Sequence, residues 1–257
     1  MHWTVHAVKY AERNARTRAE SFLEDDHPGL PHGMDYFVWV LGAGGRHIVV
    51  DTGYDAAEGA RRGRPILRDP AQAVAAAGVS AERVADVIIT HLHYDHAGGL
   101  DRFPAAQFHL QSAEMDFATG PCMCNPDAQA PFTAAHVCQM VERVYSGRVA
   151  FYDGEGQVAP GVTVHRVGGH SLGLQVVRVE TAGGPVCLAS DAAHYYENFQ
   201  SGLLFPIVAD RAAMREGFRT IRTLAGGADD RVIPGHDPLV RDRFPQEGES
   251  GFLWRLA

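Results

Sequence analysis

Val87-Ile88-Ile89-Thr90-His91-Leu92-His93-Tyr94-Asp95-His96-Ala97-Gly98-Gly99 changes character half-way along. Its first half is apolar and β-branched and, with the three residues before it, reads as a buried strand running from Val84 to Thr90. Its second half packs three histidines and an aspartate into the six residues 91–96. Imidazole nitrogens and a carboxylate are the donors that zinc and related divalent ions take. One tight turn cannot wrap all four around a single ion. The spacing suits two adjacent metals, with His91 and His93 toward one and Asp95 and His96 toward the other, and the chemistry to expect is hydrolysis by metal-activated water.

Outward from this stretch, three more segments place a metal-capable residue just past a strand: Gly169-His170-Ser171, Ser190-Asp191-Ala192 and Pro234-Gly235-His236-Asp237. The strands are read at Val162–Val167, Leu174–Val179, Val186–Ser190 and Arg231–Ile233. A glycine before each outlying histidine gives the turn backbone freedom that other residues lack. Upstream, Tyr36–Leu41 and His47–Val50 read as strands around Gly42-Ala43-Gly44-Gly45, and Asp51-Thr52-Gly53 ends the second. Gln107–Leu110 reads as a further short strand. Helices are expected over 70–78, after Asp69 and before Gly78; over 133–145, with Val137, Val141 and Val144 on one stripe; and over 211–225, capped by Asp210 and stopped by Gly226-Gly227. The helix at 211–225 carries Met214, Phe218, Ile221 and Ala225 as its apolar stripe. Residues 120–131, with three prolines and two cysteines, read as a loop that either roofs the site or lies on the surface. The whole is two β-rich halves with helices and no linker between them, so residues 1–257 are expected to form one domain, the N-terminal 35 or so as an extension or pocket cover.

Composition narrows the function classes. A chain of 257 residues with 46% hydrophobic and 21% charged residues is ordinary for a globular protein. A net charge of −8 argues against a nucleic-acid partner, which needs a basic face. Met1–Glu20 mixes charged residues without an apolar core, so no signal peptide is read there, and the longest apolar stretch, near Tyr36–Ala43, is too short to span a bilayer. The expectation is a cytoplasmic protein without a membrane partner. Cys122 and Cys124 are too close for a comfortable disulfide, and the four cysteines read as reduced thiols. Of the remaining histidines, His109, His136 and His165 fall in strand or helix patterns and read as structural, whereas His2, His6, His27, His32 and His47 read as solvent-facing.

The motif His-x-His-x-Asp-His at 91–96, followed in order by His170, Asp191 and His236, resembles the metallo-β-lactamase superfamily over nearly the whole chain. That resemblance implies an αββα sandwich, two β-sheets flanked by helices. It implies that His91, His93 and His170 hold one metal, that Asp95, His96 and His236 hold the other, and that Asp191 bridges both, with a hydroxide between the ions. Two divalent cations are expected, zinc first, with manganese, iron or cobalt as alternatives. Asp51 matches an aspartate that orients a ligand histidine.

Within the superfamily, the strings His91–Gly99, Asp191 through Glu197-Asn198-Phe199, and Gly235-His236-Asp237 look most like the N-acyl-homoserine lactonases, enzymes of quorum quenching. The implied activity is hydrolysis of a lactone, an N-acyl-homoserine lactone or another small lactone, with Asp95 shuttling the proton. His194 or Tyr195 would hydrogen-bond the substrate, because His194 stands where those lactonases carry a tyrosine. Tyr94, His194, Tyr195 and Phe199 are the expected substrate residues, and Tyr94, in place of the usual phenylalanine, implies a more polar pocket. The acyl pocket is expected from Phe22–Met34 and Ile66–Pro70. The same ligands would serve a glyoxalase-II-like thioesterase or another ester or phosphodiester hydrolase, and, further off, a di-iron oxidoreductase or a non-catalytic relic. The partner is a small-molecule lactone or ester, and the protein is expected as a monomer or homodimer.

Overall fold

The computed structural model describes all of residues 1–257. Twelve strands form two sheets. In chain order they are β1 (Thr4–Arg13), β2 (Met34–Ala43), β3 (Arg46–Val50), β4 (Asp86–Ile88), β5 (Gln107–Gln111), β6 (Val149–Tyr152), β7 (Glu155–Ala159), β8 (Val162–Arg166), β9 (Gln175–Thr181), β10 (Gly184–Ser190), β11 (Val232–Pro234) and β12 (Leu253–Arg255). The first sheet has the order β12-β1-β2-β3-β4-β5-β6 and the second β11-β10-β9-β8-β7. Pairing is antiparallel from β12 to β3 and from β7 to β10, but parallel through β3-β4-β5-β6 and between β10 and β11. The expected sandwich of two sheets with flanking helices is therefore what the chain forms.

Alternation along the strands assigns each face. On β2, Phe37, Trp39 and Leu41 point into the core between the sheets, where they meet Val162, Val164, Val177 and Leu188. Val38 and Val40 point the other way, into a second core with Val49, Val87, Phe108 and Met140. A strand buried on both faces reads as an unbroken apolar run, which is why residues 36–41 show no polar alternation. The second sheet is covered by the helix Arg211–Leu224, whose Met214, Phe218 and Ile221 are buried. Asp210 caps that helix by accepting from the amides of Ala212 and Ala213, and Gly226 leaves it at φ 72°.

Several elements depart from the sequence reading. The strand expected over 84–90 is shorter, spanning Asp86–Ile88. The helix expected over 70–78 is one α-turn, Pro70–Ala73, continued as a 3-10 turn to Ala77 and closed by Gly78. In the helix Ala134–Tyr145 the buried residues are His136, Val137 and Met140, so the inward face is rotated from the expected valine stripe. Residues 121–129 are not plain loop but two short helical turns, Pro121–Cys124 and Pro126–Gln129. The strand β1, placed between β12 and β2 in the first sheet, shows that the first residues of the chain are sheet rather than appendage. No helix is long and apolar enough to cross a membrane.

Candidate metal centre

The metal-capable residues stand where parallel strands end. Asp51 follows β3, the hexapeptide follows β4, Asp191 follows β10 and His236 follows β11, while His170 lies on the turn between β8 and β9. Carboxyl ends of parallel strands are where open sheets leave a crevice for a ligand. Two of these ends hold a non-glycine residue in the left-handed region, Asp51 at φ 61° and Ser190 at φ 44°. Such angles persist only where surrounding bonds enforce them. Here the Thr90 amide donates to Asp51 Oδ1 at 2.7 Å, its hydroxyl donates to Asp51 Oδ2 at 2.8 Å, and the same hydroxyl lies 3.0 Å from the Ser190 hydroxyl.

Asp191 is the centre of the arrangement, and its two oxygens face different histidines. Oδ2 lies 3.9 Å from His91 Nε2, 3.2 Å from His170 Nε2 and 2.9 Å from His194 Nε2. Oδ1 lies 3.4 Å from His96 Nε2 and 3.1 Å from His236 Nε2. Asp95 sits on the Oδ1 side, 3.9 Å from His96 Nε2 and 3.8 Å from His236 Nε2. His93 joins His91 and His170 in one group whose ligand atoms lie within 4.8 Å of one another. All seven expected ligands are thus brought together, with a carboxylate between two sets. Gly235 is required by this closeness, because a Cβ there would stand 2.5 Å from Asp191 Oδ1.

The donor set fits divalent cations on a direct observation. His91 Nε2, His96 Nε2, His170 Nε2 and Asp191 Oδ1 are all buried without a hydrogen-bond partner. Buried polar atoms are seldom left so, and four converging on one point are the lining of an ion site. The far nitrogens are held: His96 Nδ1 by Asp51 Oδ2 at 2.7 Å, His170 Nδ1 by the Ile207 carbonyl at 2.7 Å, His236 Nδ1 by the Asp35 carbonyl at 2.8 Å. Each bond fixes the ring so that Nε2 faces inward.

The electrostatics divide the two sets. Burial and the neighbouring imidazoles hold His91 and His93 well below the ordinary histidine range, so both are neutral donors. Burial would also lower His96 and His236, but Asp191 together with Asp51 or Asp95 outweighs it and raises both. Burial works against ionisation of Asp191, yet His236, His96 and His194 overcome it and keep its carboxyl well below the usual range.

Further residues complete the site that the sequence reading did not single out. Glu114 is fully buried and accepts from the Leu92 amide at 2.8 Å, from the Gly173 amide at 3.0 Å and from the Ser171 hydroxyl. It ties the hexapeptide loop of one sheet to the His170 loop of the other. Gly173 meets it so closely that a Cβ would lie 2.0 Å from the Glu114 amide. Its signal in sequence is nil, since a lone glutamate after a strand reads as surface. Tyr10 donates to the Asp95 carbonyl at 2.8 Å, and Tyr36 packs edge-on against His236 at 5.0 Å.

The expected substrate residues separate. The His194 ring lies flat on Phe205, 3.6 Å between centroids, with Nε2 on Asp191, and burial lowers it to about 3 despite that carboxylate. The Tyr195 hydroxyl turns away: it accepts from Arg16 at 2.7 Å and bonds Ser21 and the Gly33 carbonyl. His32, expected in solvent, is half-buried against the Tyr195 ring at 4.3 Å and bonded to Ser21. Phe199 lies in the core between the sheet and the helix Arg211–Leu224, beside Tyr196 and under Arg222, apart from the ligands. Tyr94 does face the ligand side. With His93 and His170 it lines a cavity of about 680 Å³ whose other walls include Phe117, Leu172, Ile207, Arg62 and Arg64, together with residues of 122–131. Segment 120–131 is therefore a wall of this cavity, and neither 22–34 nor 66–70, where an acyl pocket was expected, contributes to it.

With the geometry in place, comparison with known proteins is direct. The sequence pattern of the Metallo-beta-lactamase superfamily matches residues 33–236. An N-acyl homoserine lactonase AttM of Rhizobium johnstonii is 27% identical over 180 residues, 68% of this chain and 66% of that protein. An N-acyl homoserine lactonase of a Bacillus species is 31% identical over 161 residues, 62% of this chain and 58% of that protein. The match thus spans less than two thirds of either relative's length. A crystallised N-acyl homoserine lactone hydrolase with N-hexanoyl-L-homoserine bound at its metal centre superposes with a TM-score of 0.76 at 19% identity, covering 93% of this chain and 95% of that one. On its fold, its ordered His/Asp cluster and this match, the chain belongs to the metallo-β-lactamase superfamily, where it is similar to the N-acyl homoserine lactonases.

Proposed function

We propose that the protein is a dinuclear metal-dependent hydrolase that opens a lactone ring, an N-acyl-homoserine lactone or another small lactone. The observation that carries this reading is the partition of Asp191, one oxygen toward His91 and His170 and the other toward His96 and His236. His91, His93 and His170 would hold one ion, Asp95, His96 and His236 the other, and Asp191 both. Two divalent ions, zinc first for this N/O donor set, would supply an activated water and an electrophile for the carbonyl.

The side chains then take defined roles. Asp95 has no hydrogen bond to its carboxylate, and it carries the proton to the leaving ring alkoxide. His194, bonded to Asp191 and stacked on Phe205, positions the bridging carboxylate. Tyr195, held by Arg16, Ser21 and Gly33, anchors the segment 16–33 instead of meeting substrate. Tyr94 is the phenol that lines the cavity, and it hydrogen-bonds the bound substrate.

Lactones, a thioester and a phosphodiester offered to the metal-loaded protein test this, with ring opening followed by proton release. Turnover of a lactone faster than of either control is expected. Preference for the thioester or the phosphodiester would move the assignment to a thioesterase or phosphodiesterase on the same residues.

A further inference from the structure

Two arginines stand beside Tyr94 on the cavity wall, and they are not equivalent. Arg62 is fully engaged. Its Nε lies 2.5 Å from Glu58, its two Nη groups donate to the carbonyls of Ala130 at 3.0 Å and Phe132 at 2.8 Å, and its guanidinium lies 3.9 Å over the Tyr94 ring. Arg64 has one side-chain bond, from Nη1 to the Tyr94 hydroxyl, and no carboxylate within 4.0 Å. Asp127, the acidic residue among the cavity-lining side chains outside the ligand set, is exposed and pairs with neither arginine.

The Arg64 backbone is held at both ends, its amide on the Gly59 carbonyl at 2.7 Å and its carbonyl accepting from Tyr54 at 3.0 Å, and the Tyr94 hydroxyl holds the far end of its half-buried side chain. Nη1 is taken by Tyr94, which leaves Nε and Nη2 as a fork. Two parallel N–H donors match the two oxygens of a carboxylate. Phe117, Leu172, Ile207 and Val208, which line the same cavity, are apolar. Asp95 acts on Arg64 only from beyond contact and belongs to the ligand set, so a neutral alkyl arm filling this space would cover the cation with no carboxylate touching it, which is costly.

We propose that Arg64 recognises a carboxylate on the acyl side of the substrate, so that the preferred substrate is an acidic lactone whose arm ends in an anionic group. This deepens the lactonase reading and rests on it for the word lactone. It rests on Arg64 alone for the word acidic.

The experiment uses the metal-loaded full chain and two ring-opened probes that are not turned over, N-glutaryl-homoserine and its primary-amide twin, with binding measured by calorimetry. The carboxylate-armed probe is expected to bind roughly tenfold or more tightly than the twin, because one charge-assisted pair is gained. Arg64→Met is expected to bring that ratio close to one. Arg64→Lys, which keeps the charge without the fork, is expected to retain part of it and to lose that part as salt rises. Equal binding of the twins by the wild type, no binding of the carboxylate-armed probe, or a preference that survives in Arg64→Met overturns the proposal. Turnover of the corresponding lactones separates the two readings. A binding ratio that stands while neither lactone is opened removes the lactonase assignment alone. Both lactones opened with no binding ratio removes the role of Arg64 alone.

Discussion

The ligand floor and the cavity wall meet at His93 and Tyr94 but are anchored in different ways. The floor is made of strand ends from both sheets, and its outer imidazole nitrogens are held by backbone carbonyls or by the buried Asp51, while His91 Nε2 and His170 Nε2 are left pointing inward. The wall is made of short helices and turns held by side chains, with Glu58 binding Arg61, Arg62 and Thr133, and Arg62 binding the carbonyls of 130 and 132. A floor of this kind sets which chemistry is possible, and a wall of this kind sets which molecule receives it. Relatives can keep the first and rebuild the second, since one wall position changes without moving a strand.

The sharpest break in the comparison comes from Asp191→Asn. A neutral amide between the two histidine sets is expected to lower turnover by on the order of 10³-fold and to reduce bound metal below two ions per chain, read by elemental analysis. Full activity and full metal content in that variant would end the assignment of the floor. Next is Glu114→Gln, which sets an amide NH2 either against the Leu92 amide or against the Ser171 hydroxyl and the Gly173 amide, since the three donors are divided between the two carboxylate oxygens. A loss of about 3 kcal/mol in denaturant unfolding is expected, with metal affinity falling alongside. An unchanged midpoint would show that the two ligand loops hold their places without it. Asp51→Asn leaves the fold but weakens the bond to His96 Nδ1, and metal affinity is expected to fall about 10- to 100-fold in chelator competition.

The smallest effect belongs to the wall. Burial works against ionisation of Glu58, but its bonds from Arg61, Thr133 and Arg62 overcome this and bring it down from 4.5 to about 2. A depressed carboxyl stabilises the folded state above its unfolded value and loses that contribution as pH falls. The advantage of the wild type over Glu58→Gln, about 2 kcal/mol at neutral pH, should therefore shrink between pH 4.5 and about 2. Proteolysis within 120–133 should rise in the variant at neutral pH while metal content stays the same. A variant whose deficit is the same at pH 7 and pH 3 would show that the wall does not depend on this charge.

The two regions were also unequally legible. His91, His93, Asp95 and His96 could be read because metal donors need particular residue types at close spacing, and the glycines before His170 and His236 marked turns after apolar runs. The strand β2 was readable for a similar reason, as a run buried on both faces. The strands β1 and β12 were not, since charged residues such as Lys9, Arg13 and Arg255 interrupt their pattern and their pairing is decided across more than two hundred residues. Arg62 and Arg64 belong to a helix end that reads as solvated charge. Only the fold brings Tyr94 beneath them. Phe199 and Tyr195 misled in the opposite sense, because proximity in sequence to Asp191 says nothing about which way a side chain leaves a turn.

Glu114 also bears on how this chain can be recombined. It belongs to the first half by sequence, yet two of its three bonds go to residues 171 and 173 in the second. A chimaera joining the first half of one relative to the second half of another would inherit every metal ligand and still lack this clasp, unless the residues at 114, 171 and 173 travelled together. The crossover points that preserve function should then lie where the three remain from one parent, and the ligand list alone would not find them.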